Sequence, residues 1–236
     1  MSDSEGSKRG STVGNSASGS APASASSNPP ASSRSRRARG GHTTGPEAQQ
    51  HLLRAADELF YREGVRAVGV DAVVERAGVN KMSLYRQFSS KDDLVMAYLE
   101  RKDAQFFGYV ETSFAKYSGD PAKQLQQYFD DLAARASAKG YRGCPFVNVA
   151  VEFPDTAHPA RLFVFRNKER LLARLTELAS AAGADDPEML ASSLALLIEG
   201  VYAASQTYRA GSSPVLAAPK AAAQLIAAAC GGKSER

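Results

Sequence analysis

Residues 69–91, GVDAVVERAGVNKMSLYRQFSSK, gather the side chains best placed to do chemistry in this chain, and that chemistry is recognition rather than bond-making. Val70, Val73, Val74 and Ala77 recur at helical spacing and give a first short helix one apolar side. Gly78 stands where a left-handed residue ends a helix at least cost, and Asn80 is a good N-cap for a second. In that second helix Leu84 and Phe88 lie four apart and face inward. Met82 and Arg86 lie roughly opposite, with Lys81 and Tyr85 between them. Lys81, Met82, Ser83, Arg86 and Gln87 can reach phosphates or base edges from such a helix: Arg or Lys suits guanine, and Gln suits adenine. Lys91 opens the following helix, where an ammonium and free backbone N–H groups together suit a phosphate.

The run AGVNKMSLYRQFSSKDDL resembles the helix-turn-helix of tetracycline-repressor (TetR) family regulators, whose pattern is close to T-V-x-x-I-A-x-x-A-G-V-S-x-x-x-L-Y-x-H-F-x-S-K-x-x-L. Ala77, Gly78, Val79, Leu84, Tyr85, Phe88, Ser90, Lys91 and Leu94 match, while Gly69, Val74, Asn80 and Gln87 depart from it. The resemblance covers residues 46–105. It implies that Tyr85 touches the DNA backbone or a base edge, the plainer reading being a Tyr packed on the flank of its own helix. It implies that Lys91 holds a phosphate, against a solvated lysine beside an acid. It also implies an all-α fold of about nine helices: an N-terminal helix-turn-helix domain, then a C-terminal domain for ligand binding and dimerisation.

The elements that must position these residues are helical throughout. Leu52, Leu53, Ala56, Leu59 and Phe60 give an apolar side to a helix over 47–63, which Gly64 closes. Ser90 caps a longer helix to about 117, with Asp92 and Asp93 in its first turn. Helices follow over 121–138, 144–153, 160–182 and 187–209. The last, Ala-rich one runs to about 229, with Pro214 and Pro219 framing its start. The expected domains are a tail over 1–45, a DNA-binding domain over 46–105 with its motif at 69–88, and a C-terminal domain over 106–230.

The tail is a different material: rich in Ser, Gly, Ala and Pro, without an aromatic residue, and unable to bury enough apolar surface to order itself. It also carries the whole net charge of +4, through Lys8, Arg9, Arg34, Arg36, Arg37 and Arg39 against Asp3 and Glu5. Two readings stay open for it: an arginine arm that reaches phosphates or the minor groove, and a solubilising tail.

For the C-terminal part the resemblance implies an unidentified small-molecule effector bound between helices. Asn148 and Glu152, four apart beside Phe146 and Phe153, are candidate polar anchors in an apolar pocket, or else a local hydrogen bond on a solvated face. Leu194, Leu197 and Val201 are candidate dimer contacts, with Ala221, Ala222, Ala223, Ala227, Ala228 and Ala229 small enough for close helix approach. Cys144 follows Arg142 and starts a helix, which favours a reactive thiol; a buried core Cys is the plainer alternative. His158, three residues after Asp155, reads as a connector residue.

No metal or cofactor is expected. Cys144 and Cys230 lack zinc-site spacing, the histidines at 42, 51 and 158 do not cluster, and there is neither HExxH nor a phosphate-cradling glycine loop, which argues against an enzyme. No apolar run approaches the ~20 residues of a membrane span, and the N-terminus has no apolar signal core, so a cytoplasmic location without membrane contact is expected. The sequence thus points to a ligand-responsive DNA-binding repressor, acting as a homodimer on a palindromic operator. The alternative is a helical small-molecule-binding protein without a regulatory DNA role.

Overall fold

The computed structural model describes residues 45–209 and 211–231. The tail reading, with its arginine cluster, falls outside these residues. Among the described residues every regular element is a helix: α1 (Gly45–Glu63), α2 (Val70–Ala77), α3 (Lys81–Gln87), α4 (Lys91–Ala115), α5 (Pro121–Ala136), α6 (Pro145–Glu152), α7 (Pro159–Ala181), α8 (Pro187–Thr207) and α9 (Ser213–Cys230).

Local chemistry sets most of the boundaries. Pro stands in the first turn of α5, α6, α7 and α8, where a missing N–H costs nothing. Asp120 and Asp186 cap α5 and α8, accepting from the N–H groups of Lys123 at 3.1 Å and Met189 at 2.9 Å. One expectation fails in α9. Pro219 lies inside the helix rather than at its start, where it removes the bond to the carbonyl four residues earlier.

Helices α1, α2 and α3 form a head on the first turns of α4. At 25 residues, α4 is ~38 Å long by its rise per residue, and it runs on from the head to pack against α5 and α7. The expected division at 105/106 therefore falls inside a continuous helix. Tyr98, Phe114, Tyr128, Phe129 and Phe146 are fully buried and form the centre of one continuous core. Buried Asn167 donates to Asp103 Oδ1 at 2.8 Å, and Arg170 Nη1 reaches the same carboxylate at 3.2 Å, so α7 is pinned across α4.

Helices α8 and α9 pack on each other and against α5, and α8 also lies along α7. By length and composition, contrary to the sequence expectation, both are long and apolar enough to cross a membrane, with a mean hydropathy of 1.2 each. Only 33% and 22% of those stretches are buried within the chain, so both helices keep uncovered apolar surface.

Candidate DNA interface and interior cavity

The turn between α2 and α3 is built as the residues require. Gly78 ends α2 at φ 67°, and its N–H closes back on the Glu75 carbonyl at 3.1 Å. Asn80 Oδ1 accepts from the Ser83 N–H at 2.8 Å and from the Ser83 hydroxyl at 3.0 Å. Leu84 and Phe88 are buried in the head's core, which fixes the outward face of α3. A two-pronged ion pair holds α2 to α1: Arg76 Nε donates to Glu58 Oε2 at 3.0 Å and Nη2 to Oε1 at 2.6 Å. The Arg76 guanidinium lowers the Glu58 pKa in turn.

On that outward face Met82 is 63% and Tyr85 48% exposed, and Lys81 and Arg86 are exposed beside them. Lys81 Nζ sits 2.8 Å from Asp71 Oδ1 of α2, which raises its pKa. Ser83 and Gln87 are half-buried, and the Ser83 hydroxyl is already engaged by the cap. Lys91 is half-buried at the start of α4, and burial lowers its pKa against the opposing charges of Asp92 and Glu152. The most exposed surface of α3 is thus Lys81, Met82, Tyr85 and Arg86.

Asn148 and Glu152 do not line an apolar pocket. Asn148 Nδ2 donates to the Arg142 carbonyl at 2.9 Å. Glu152 Oε2 accepts from the Arg66 N–H at 2.7 Å, and Arg66 Nη1 donates to the Glu152 carbonyl at 3.3 Å. Both residues border a separate recess between α1 and α6. The Glu152 carboxylate lies so close over Gly64 that a Cβ there would stand 3.0 Å from Oε1, and Gly64 has φ 95° besides. Sequence reasoning missed this because the partners lie 86 residues apart.

A cavity of about 410 Å³, partly open to solvent, lies elsewhere, between α1, α4, α5, α8 and the loop from α5 to α6. Phe106, Tyr109, Tyr141 and Tyr202 form much of its wall, with Lys102, Arg135 and Lys139 as its charged groups. Tyr61, near the end of α1, ties the cavity to the head: its hydroxyl donates to the Gly143 carbonyl at 3.1 Å and accepts from the Arg142 N–H at 2.8 Å. Cys144 lines the cavity and is buried. Burial raises its pKa despite the nearby Lys168 ammonium, so the favourable surroundings expected of a reactive thiol are not met. His158 caps α7 through Nδ1 and stacks on Phe153, and no metal-binding cluster occurs among the described residues.

The dimer candidates need correcting. Leu194 and Val201 are 0% and 2% exposed within a single chain, because that stripe of α8 faces the chain's own core, and Leu197 is half-buried against it. The uncovered residues of α8 lie one step around the helix: Met189 at 63%, Leu196 at 74%, and the small residues Gly200 and Ala203.

A short helix with a packed inner side and a cationic, aromatic outer side, set on an all-helical body with a cavity, defines a helix-turn-helix regulator. Residues 52–98 match the bacterial regulatory proteins of the tetR family, and residues 121–219 match the tetracyclin repressor-like C-terminal domain. The chain is 33% identical over 162 residues to the transcriptional regulator AcuR of Cereibacter sphaeroides, covering 65% of this chain and 74% of that one. It is 44% identical over 63 residues to the HTH-type transcriptional activator FasR of Mycolicibacterium smegmatis, 29% of that protein. A TetR-family transcriptional regulator from Streptomyces coelicolor superposes with a TM-score of 0.72 at 31% identity, over 81% of this chain and 92% of that one. The chain belongs to the TetR family and is a helix-turn-helix transcriptional regulator.

Proposed function

We propose that this protein is a repressor that binds a two-fold symmetric operator as a homodimer and releases it when a small molecule enters the cavity beside α1, α4 and α5. The observation that carries the reading is α3, whose Leu84 and Phe88 are buried while Met82, Tyr85, Lys81 and Arg86 face out. A helix so mounted fits a major groove, and a dimer would read half-sites about 34–36 Å apart. Lys91 adds a phosphate contact beside it. The exposed faces of α8 and α9, around Leu196 and Leu216, would meet their copies in a four-helix contact. The protein would act in the cytoplasm, with no catalytic role.

The route from cavity to head is short and runs through hydrogen bonds. The loop lining the cavity is held to α1 by the Tyr61 hydroxyl, and α6 is held to the connection after α1 by Glu152 and Arg66. An effector that favours one position of this loop shifts the head only by its differential affinity for the two positions. Selection of bound fragments from genomic DNA, followed by footprinting, tests the reading. Two protected half-sites related by a two-fold axis are expected. Tyr85→Ala should abolish selection while leaving the helical circular dichroism unchanged. Failure to enrich any sequence refutes the reading.

A further inference from the structure

We infer that this half-open cavity takes a small aromatic carboxylate, anchored on Arg135 and the Tyr141 hydroxyl. The inference rests on the cavity being the effector site and adds the chemical class of the effector.

The charges around the cavity are one-sided. No Asp or Glu lines it, whereas Lys102, Arg135 and Lys139 do. The lysine Lys102 is already matched, with Nζ 2.6 Å from Asp57 Oδ1. Nearby Lys168 is matched in the same way by Glu199 at 2.5 Å. Among the described residues, Arg135 and Lys139 have no carboxylate within ion-pair distance. Lys139 is exposed, but Arg135 is half-buried, with its guanidinium 5.3 Å from the centre of the Tyr109 ring and 6.0 Å from that of Tyr128. A cation held on aromatic faces at the wall of a cavity is an incomplete pair, and a planar carboxylate matches the guanidinium fork.

Tyr141 supplies a second donor. It lines the same cavity, and its hydroxyl has no hydrogen-bond partner among the described residues. Burial raises its pKa while the charge of Arg135 opposes, so the hydroxyl stays protonated and able to donate. Of the other hydroxyls on the wall, that of Tyr61 is engaged by the loop backbone and that of Tyr202 faces Tyr128 at 3.5 Å, while Tyr109 is 55% exposed and its hydroxyl is open to solvent competition. The remaining wall decides the body of the ligand. Phe106, Tyr109, Leu132 and Pro145 offer rings and aliphatic edges. The volume of about 410 Å³ is at the small end of ligand pockets.

The test is calorimetric titration of the full-length protein with benzoate, 4-hydroxybenzoate, phenylacetate and cinnamate, each beside its neutral amide. At least one acid should bind at least about ten-fold tighter than its amide, because only the acid carries the opposite charge and two acceptor oxygens for the fork of Arg135. Arg135→Gln should erase that preference, and Tyr141→Phe, which keeps the ring, should weaken the acid alone by several-fold. Amides binding as well as acids, or no acid binding, overturns the inference, as does an acid preference that survives in both variants. Anisotropy of a selected DNA duplex separates this from the regulatory reading. An acid that binds through Arg135 without releasing DNA upholds the ligand class and refutes the effector role. A neutral compound that releases DNA from this cavity does the reverse.

Discussion

Truncating Leu196 should dissociate the dimer without weakening the fold, while truncating Leu194, two residues away, should do the opposite. Leu196 is 74% exposed in the single chain, and Leu194 is 0% exposed. Full burial of a leucine side chain is worth about 1.5–3 kcal/mol, so the uncovered three quarters of Leu196 represents about 1–2 kcal/mol. A two-fold axis counts it twice, which gives about 2–4 kcal/mol for Leu196→Ala, or a dimer Kd raised about 30- to 1,000-fold. For Leu194→Ala the loss is a core cavity costing about 2–5 kcal/mol of stability in each chain. Sedimentation equilibrium over a dilution series measures the first effect. Urea unfolding at several protein concentrations separates the two, since only the dimer term depends on concentration. An unchanged dimer Kd in Leu196→Ala would refute the assignment of this face. A Leu194→Ala protein that unfolds as the wild type does would refute the burial argument.

Four further outcomes are expected. Asn80→Ala removes the cap of α3 and should lower stability by about 1 kcal/mol in urea unfolding, with Asn80→Asp restoring most of it; equal midpoints for all three proteins would contradict this. Tyr61→Phe should leave DNA affinity without ligand nearly unchanged but reduce the factor by which a cavity ligand weakens it, as read by anisotropy with and without ligand; an undiminished factor would place the coupling elsewhere. Lys91→Ala should reduce the slope of log affinity against log salt by about 1 and weaken all DNA sequences alike, and an unaltered slope removes Lys91 from the interface. Because burial raises the pKa of Cys144, its thiol stays protonated at neutral pH, so iodoacetamide should label it far more slowly in the native protein than in denaturant. Rapid native labelling would overturn that.

The recognition unit was legible because its determinants are local. Gly78 at φ 67°, the Asn80 cap and the inward pair Leu84 and Phe88 all act within a few residues, and a spacing rule is enough to find them. The prolines and aspartates that open α5 and α8 are equally short-ranged. Tertiary structure decided everything that depends on which surface covers which. A helical stripe shows that Leu194, Leu197 and Val201 are apolar, yet not that their own chain has already buried the first and last and left Leu196 open. For Asn148 and Glu152 the helical period left two readings, pocket anchors or a local hydrogen bond; Asn148 bonds the nearby Arg142 carbonyl, while Glu152 meets Arg66 across 86 residues of chain. The cavity has the same origin. Tyr61, Arg135, Tyr141 and Tyr202 come from three helices and a loop, and no pattern in the sequence joins them. Local propensity and periodicity specify helices and their apolar sides; only packing determines whether a given side chain ends in the core, on a cavity wall or on a face left for a second copy.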